Sequence, residues 1–550
     1  MLLYIFLGTL FVFLIAYKIY GRWLDKTFDV DGSNPTPSHT EYDGIDRVPA
    51  KKPILFGHHF SSIAGAGPVV GPIIAGIAFG WLPALLWIII GSIFIGGIHD
   101  YTSLMASIRH KAKSIGEIAH IYMSPLSYKM FLVFIWLALV YILVVFVDLT
   151  SAGFTTSPEV GSSSIFFIFL AVAFGITVNK LGIPFQKASF IFVPLVFVGI
   201  YLGHILPFPN DLLPSIMGEK TRTWNIILLI YCFIASITPV WALLQPRDFL
   251  SSFLLYASLI GAFIGILIGG FDIKYPMFTS WESIEKGTLF PILFITIACG
   301  ACSGFHSIVA SGTTSKQLNN ECDARPIGYG AMLIEGLVAV ISLFTVVMLV
   351  SDQEILKSHP LDIYGNGLGK FLEVIGLPYE MGKSFGILAV STFLLTTLDT
   401  STRLGRYIFE EFFNLKGNHS RVIATLATLA FPLAFNFMIL KDGNGQIIPA
   451  WQAIWPVFGA TNQLLAGLAL LVIFVWLSKK GKPTIFVLIP MLFMLVMTIW
   501  ALGQLTYQSG FTIIGAIAFI LLCLSLILII EAVRTVATPG NLNETIKKTS

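Results

Sequence analysis

The sequence predicts an all-α polytopic membrane protein with about 15 transmembrane helices. Of its 550 residues, 56% are hydrophobic and 11% are charged, whereas roughly 25% of the residues in a soluble domain are charged. Apolar runs of about 20 residues, long enough to cross a bilayer as a helix, recur along the chain. This composition excludes a disordered chain, and the lack of basic runs excludes a nucleic-acid-binding protein. The lipid bilayer is therefore the first expected partner.

The apolar runs give the predicted order of the spans. They lie near residues 2–20, 56–80, 84–109, 130–153, 164–180, 187–206, 224–244, 247–270, 288–311, 327–350, 384–409, 421–440, 453–478, 484–503 and 511–534. The first run has no Lys or Arg before it and is followed by Lys18, Arg22 and Lys26, so we expect an uncleaved anchor with its N-terminus outside.

The positive charges predict the orientation of the remaining spans. With the N-terminus outside, 25 of the 33 Lys and Arg residues fall in loops on the cytoplasmic side. This is the bias that cytoplasmic loops carry in membrane proteins. The odd number of spans then places the C-terminus in the cytoplasm. No polar insertion is long enough to form a soluble domain, so the function must reside inside the membrane.

The second span contains the first signal of a binding site. Within Gly57-His-His-Phe-Ser-Ser-Ile-Ala-Gly-Ala-Gly-Pro-Val-Val-Gly-Pro72, Pro68 lacks an N–H group, and Gly65 and Gly67 tolerate non-helical dihedral angles. We expect an unwound stretch around Ala64–Pro68 that faces a cavity, because irregular backbone is tolerated at membrane depth only there. The alternative is a simple proline kink with glycines for close helix packing.

A second interruption is predicted five spans later, where Ser236, Thr238 and Pro239 break the run Tyr231–Pro246. A unit of five spans crosses the membrane an odd number of times, so the next unit has the opposite orientation. Segments 56–206 and 224–409 therefore form a candidate inverted repeat. This 5+5 arrangement looks like the leucine-transporter-type fold, whose half-helix N-termini attract anionic substrates. The expected substrate-binding residues are those of the two interruptions: Ser61, Ser62, Ala64, Gly65, Ala66, Gly67, Ser236 and Thr238.

Four parts of the chain follow from this division. Residues 1–20 are an N-terminal accessory helix and residues 21–55 a cytoplasmic connector. The core spans 56–409, and 410–550 hold C-terminal accessory helices and a cytoplasmic tail.

Ionisable and hydroxyl groups at membrane depth are the expected coupling residues, since such groups are costly there and usually functional. They are His58, His59, Asp100, Ser303, His306, Ser307 and Asp399. Histidine titrates near physiological pH, and the serines line one face of span 288–311. In a leucine-transporter-type fold, hydroxyls on the eighth core helix hold a sodium ion. The alternatives are structural partners, namely hydroxyls for close packing and an i, i+4 ion pair between Asp399 and Arg403.

Enzymatic chemistry has little support in the sequence. Cys299-x-x-Cys302 lies in an apolar helix without a second cysteine pair, so a metal or redox site is disfavoured. The chain contains no P-loop motif and no nucleophile constellation. We therefore expect no enzyme activity and no cofactor, and a coupling ion that is a proton or, alternatively, sodium.

Several long motifs resemble the carbon starvation protein A (CstA) family. They are Phe56–Pro72, Gly96-Gly-Ile-His-Asp-Tyr101, Gln245-Pro-Arg-Asp-Phe249 and Thr396-Thr-Leu-Asp-Thr-Ser-Thr-Arg403. The resemblance implies a transporter of the bacterial inner membrane that is linked to nutrient limitation and takes up peptides or pyruvate. The expected function is thus symport of pyruvate or a similar small carboxylate. Uptake of di- or tripeptides is the first alternative, and a membrane receptor for a carbon source is the second.

Overall fold

The computed structural model describes residues 1–44, 47–239, 242–283, 287–349, 354, 358–415, 417–441 and 447–537. The C-terminal tail predicted beyond residue 537 lies outside the described residues. The described chain is mainly α-helical, and two short antiparallel hairpins lie in its loops.

The elements of the first half, in chain order, are α1 (Leu2–Thr27), α2 (Pro37–Thr40), α3 (Lys52–Ile63), α4 (Gly67–Phe79), α5 (Trp81–Gly91), α6 (Gly97–Arg109), α7 (Ile115–Tyr122), α8 (Pro125–Thr156), α9 (Pro158–Asn179), α10 (Phe185–Ile205), α11 (Lys220–Ile237), α12 (Leu244–Ile268), β1 (Glu282–Ser283) and β2 (Gly287–Thr288).

Those of the second half are α13 (Leu289–Thr296), α14 (Gly304–Val309), α15 (Ser315–Gln317), α16 (Ala331–Leu349), α17 (Pro360–Glu373), α18 (Tyr379–Phe412), α19 (Asn418–Asn436), β3 (Leu440–Lys441), β4 (Ile447–Ile448), α20 (Ala450–Lys479), α21 (Ile485–Ser509) and α22 (Ile513–Ala537).

Among the described residues, 11 helices are long and apolar enough to cross a membrane, or 12 when α3 and α4 count as one bent span. A polytopic, all-helical membrane protein is thus confirmed. The predicted number of about 15 spans is not, because the segments at 224–244, 288–311 and 421–440 contain helices that do not meet this criterion.

The first predicted interruption is present. Helix α3 ends at Ile63 and α4 begins at Gly67, and the two are bent by 42° relative to each other. Pro68 occupies the first turn of α4, where the missing N–H group of proline costs no hydrogen bond. The non-helical residues are therefore Ala64 to Ala66.

The second interruption differs from its prediction. Ser236–Pro239 do not break a span: α11 ends at Ile237, and α12 begins at Leu244 as a separate helix. Thr238 is extended, with ψ of 144°, as is usual for a residue before proline. The true second break lies in the predicted continuous span 288–311, where α13 ends at Thr296 and α14 begins at Gly304.

The two breaks pack directly against each other. A methyl group on Gly67 would lie 2.3 Å from Cys299 Sγ, and one on Gly71 would lie 2.5 Å from the Thr296 carbonyl oxygen. Such distances are far below van der Waals contact, so only glycine lets the two backbones approach this closely.

The connector before α3 is tied to the segment that follows α15. Ala50 N donates to the Gln317 carbonyl at 2.9 Å, and Ser38 Oγ donates to the Leu318 carbonyl at 2.7 Å. The buried Glu321 accepts hydrogen bonds from Asp31 N at 3.1 Å and Asn34 Nδ2 at 2.6 Å in the connector. It also forms an ion pair with Arg109 Nη1 at 2.6 Å. Lys52, at the start of α3, pairs with Asp323 at 3.3 Å.

The contact between the breaks gives a first prediction. Gly71→Ala forces a methyl group against the Thr296 carbonyl, and we expect it to lower the free energy of unfolding by about 1–3 kcal/mol, the usual cost of overpacking. Thermal unfolding of the detergent-solubilised protein measures the loss. Gly8→Ala is the matched control, because no atom lies within 4 Å of a methyl group at that position. Equal unfolding temperatures for the two variants would contradict the close packing.

Candidate functional site

A small cavity lies between the two breaks, inside the helical bundle. Its volume is about 10 Å³, which is roughly the space that one water molecule needs. It is lined by Ile63, Gly65, Ile142, Phe146, Cys299, Phe305, Thr397, Phe458 and Asn462. These described lining residues include no Asp, Glu, Lys, Arg or His, so backbone groups, one hydroxyl and one amide supply the polar contacts.

The helix that leaves the first break directs positive potential towards the cavity. Helix α4 begins at Gly67 and runs for 13 residues. Pro68 has no N–H group, and Val69 and Val70 donate to the Ala66 carbonyl, so the Gly67 N–H group and the helix dipole supply the partial positive charge. The N-terminus of α4, next to the lining residue Gly65, is thus suited to a negatively charged group.

Helix α20 supplies the side chains that satisfy the second break. Asn462 Oδ1 accepts from Phe305 N at 3.0 Å, in the first turn of α14, and Asn462 Nδ2 donates to Ser303 Oγ at 3.0 Å. Gln463 Nε2 donates to the carbonyls of Phe294 at 3.2 Å and Cys302 at 3.0 Å. Two adjacent amides therefore hold the irregular backbone of residues 297–303, which the apolar surroundings would otherwise leave unpaired.

A cluster of histidines and carboxylates lies beside α14. The two oxygens of Asp100 bind two imidazoles: His99 Nδ1 is 2.8 Å from Oδ1, and His306 Nδ1 is 2.8 Å from Oδ2. On its other side, His306 Nε2 lies 3.5 Å from Glu335 Oε2. All four side chains are fully buried, and a chain of titratable side chains thereby joins α6, α14 and α16.

A second buried cluster is built around Arg247. Its guanidinium group donates hydrogen bonds to Asp399 and to Tyr231, and Tyr231 Oη donates to Asp399 at 2.9 Å. Arg247 also lies 3.6 Å from Asp248, whose other oxygen is 3.1 Å from His58 Nδ1. One cation therefore links α3, α11, α12 and α18.

The alternative ion pair between Asp399 and Arg403 is wrong, because Asp399 binds Arg247. Arg403 Nη2 instead donates to the carbonyls of Ala235 at 2.8 Å and Thr238 at 2.7 Å, and Arg406 donates to the Ser236 carbonyl at 2.6 Å. The two arginines thus cap the C-terminal end of α11, where carbonyl groups lack intrahelical donors. Ser236 and Thr238 serve this cap, and neither lines the cavity.

The other predicted residues are distributed as follows. Gly65 lines the cavity, and Ala64, Ala66 and Gly67 complete the break around it. The hydroxyl groups of Ser61 and Ser62 donate to the His58 carbonyl, and the Ser307 hydroxyl donates to the Gly304 carbonyl. The Ser303 hydroxyl bonds with Asn462. His59 Nδ1 lies 2.8 Å from Thr314 Oγ1. Within the described part of the chain, no group of three or more His, Cys, Asp or Glu residues has the arrangement of a metal site.

Several important residues did not stand out in the sequence as site residues. Arg247 and Asp248 occur in the motif Gln245–Phe249, and an adjacent Arg and Asp within an apolar region were a usable signal. The adjacent amides Asn462 and Gln463 were another, because they interrupt an otherwise apolar run in a 30-residue helix. Thr397, on α18, carried no signal of its own.

Comparisons with known proteins identify the relatives of this chain. A family model described as "Carbon starvation protein CstA" matches residues 1–365 and 350–501. The "Pyruvate/proton symporter BtsT" of Escherichia coli (strain K12) is 30% identical over 595 residues, covering 92% of this chain and 82% of that protein. The "Peptide transporter CstA" of Bacillus subtilis (strain 168) is 30% identical over 591 residues, covering 96% of both chains.

One solved structure has a similar fold. MhsT in complex with L-phenylalanine superposes with a TM-score of 0.51 at 13% identity. The match covers 88% of this chain and 99% of that one. At this identity the likeness concerns the fold.

The Arg247 cluster gives a second prediction. Arg247→Gln leaves Asp399 and Asp248 buried without their cation, and we expect it to reduce stability by about 3–5 kcal/mol. Adding Asp399→Asn removes one of these orphaned charges. The double variant should therefore be more stable than Arg247→Gln alone by about 1 kcal/mol or more. Thermal unfolding in detergent, or the yield of folded protein if the single variant does not fold, measures the recovery. Strictly additive losses would contradict the shared ion pair.

Proposed function

We propose that this chain, which belongs to the carbon starvation protein CstA family, is a secondary transporter that imports a small carboxylate, pyruvate foremost, by proton-coupled symport across the inner membrane. Sodium is the alternative coupling ion. The observation that carries the proposal is the small cavity between the two helix breaks, next to the N-terminus of α4. The named relatives are transporters, one of them a pyruvate/proton symporter.

The size and lining of the cavity favour a small substrate. Phe146, Phe305 and Phe458 close on Gly65 and leave about 10 Å³, so three-carbon pyruvate needs a far smaller displacement of these rings than a dipeptide. The carboxylate would accept hydrogen bonds from the N–H groups of Ala66 and Gly67, because the Gly65 N–H group already donates to the Ile63 carbonyl. The keto oxygen of pyruvate would lie near Thr397 or Asn462, the polar side chains of the lining.

The histidine–carboxylate cluster is the proposed coupling site. His306 belongs to α14, the helix that leaves the second break, and its side chain lies between those of Asp100 and Glu335. Protonation changes the charge of this cluster, and α14 also carries the lining residue Phe305. Proton binding and substrate binding would therefore act on the same half-helix, which is what coupled transport requires.

The helix contacts support a 5+5 repeat with boundaries that differ from those expected from the sequence. Helix α8 packs on α11 as α18 packs on α19, and α12 packs on α3 as α20 packs on α14. In this pairing the units are 52–268 and 289–479, each opens with a broken helix, and the hairpin α9–α10 is an insertion in the first unit. Alternating access would then be a rocking of the broken helices against α8 and α18.

Two buried carboxylates support this pairing at the level of single residues. Asp399 on α18 binds Arg247 in the first turn of α12, and Asp148 on α8 accepts from Trp451 N, in the first turn of α20, at 2.9 Å. The residues two positions earlier, Thr397 and Phe146, both line the cavity. Corresponding helices thus carry corresponding groups.

Peptide uptake is the second candidate, favoured by the name of the relative from Bacillus subtilis. It needs a larger cavity in the open states and groups for both peptide termini. Uptake of labelled pyruvate and labelled dialanine into proteoliposomes, under separate proton and sodium gradients, distinguishes the two. We expect accumulation of pyruvate under the proton gradient. Failure of both solutes to accumulate under either gradient would refute symport.

The coupling assignment gives a third prediction. His306→Gln removes the titrating group from the cluster and should abolish accumulation of pyruvate above equilibrium, while exchange of labelled for unlabelled pyruvate without a gradient continues. His204→Gln is the control, because His204 is exposed on α10 and far along the chain from the cluster. Gradient-driven accumulation by His306→Gln at the level of the control would show that the proton couples elsewhere.

A further inference from the structure

A second, larger cavity opens on the side of the protein that the Lys and Arg pattern predicts to be cytoplasmic. We call it the vestibule. Its volume is about 290 Å³, near the lower end of the range for small-molecule sites. It lies between α3, α9, α12, α15 and α18, and its polar lining includes His58, Asn179, Thr313, Lys316 and Arg403.

The vestibule is lined by positive charge without a compensating carboxylate. Lys316 and Arg403 border it, and none of its described lining residues is Asp or Glu. Asp248 lies behind the vestibule wall, where it binds His58 Nδ1 and is itself paired with Arg247. The electrostatic potential in the vestibule therefore favours an anion.

A donor group at the vestibule also lacks an acceptor. Arg403 is 9% exposed, and its Nε–H group has no hydrogen-bond partner among the described residues. Buried donors are usually paired, so an unpaired one beside a cavity indicates a ligand with acceptor oxygens. Arg403 and Lys316 belong to different helices and border the same space.

Helix α3 extends from the vestibule to the first break, which borders the central cavity. His58 borders the vestibule, and six residues further the same helix reaches Ala64 at the first break, a distance of roughly 9 Å along a helix. A substrate released from the central cavity towards this face would enter the vestibule next.

We propose that the vestibule is a second binding site for a small carboxylate, which Lys316 and Arg403 bind and which the substrate occupies before it leaves the protein. The identity of the carboxylate rests on the proposed function. The preference of the vestibule for an anion is argued from its lining residues alone. The head group of an acidic lipid offers similar oxygens, and the experiment separates the two sources.

The test reads occupancy inside the vestibule. Thr313→Cys, in a Cys322→Ser background that removes the exposed native thiol, is labelled with N-ethylmaleimide in phosphatidylcholine proteoliposomes, and modification at position 313 is measured by mass spectrometry. We expect pyruvate to slow the labelling. Lys316→Gln should raise the pyruvate concentration for half-protection roughly tenfold, because it removes one charge-assisted hydrogen bond. Lys187→Gln, at an exposed position outside the vestibule, should leave it unchanged.

The outcomes separate this proposal from that of transport. Accumulation of pyruvate without protection of position 313 would overturn the vestibule site and leave the transport function intact. Protection that Lys316→Gln weakens, in a protein that accumulates no pyruvate, would support the anion site and refute pyruvate symport. Protection that disappears in Gly65→Ala would overturn the proposal, because it would reflect binding in the central cavity. Protection that arises only when phosphatidylglycerol is added would also overturn it, because the ligand would then be a lipid.

Discussion

The structure depends on one constraint: backbone that leaves the helical conformation inside a membrane must find its hydrogen bonds within the protein. Two breaks meet that requirement by lying against each other and against α20. The glycines of α4 let the chains approach, and Asn462 and Gln463 bind the exposed backbone of the second break. The surrounding helices are arranged so that these groups never face lipid, and the central cavity is the space that remains between them.

Charge imposes the second constraint, and the protein meets it with very few residues. Arg247, Asp399 and Asp248 are almost completely buried, and a buried charge without a partner costs several kcal/mol. Since the three belong to two different helices and Tyr231 and His58 belong to two more, the pairing fixes how α3, α11, α12 and α18 approach one another. The ion cluster therefore determines position more than it adds stability.

The sequence predicted the helical membrane class and the first break, because composition and the Gly-Pro pattern act locally. It misassigned the second break for a physical reason. A proline after a polar pair, as at Ser236–Pro239, is equally typical of a helix end, whereas Cys299–Gly304 is small and apolar enough to pass as continuous helix. Asp100, His306 and Asp399 were found because charge at depth is rare, but the partner of Asp399 lies 152 positions away in sequence. No local pattern could identify Arg247 as that partner, and only Gly65 of the expected substrate residues lines the cavity.

The connector that joins Ala50 to Gln317, and Glu321 to residues 31–34, has a mechanical consequence. It fastens the start of α3 to the segment that follows α15, and these are the ends of the two half-helices on the same side of the breaks. Neither can swing outward while the other stays in place without tearing these hydrogen bonds and the Lys52–Asp323 pair. These contacts consequently couple the positions of the two half-helices. Any movement that opens the protein on this side would therefore have to displace both half-helices together.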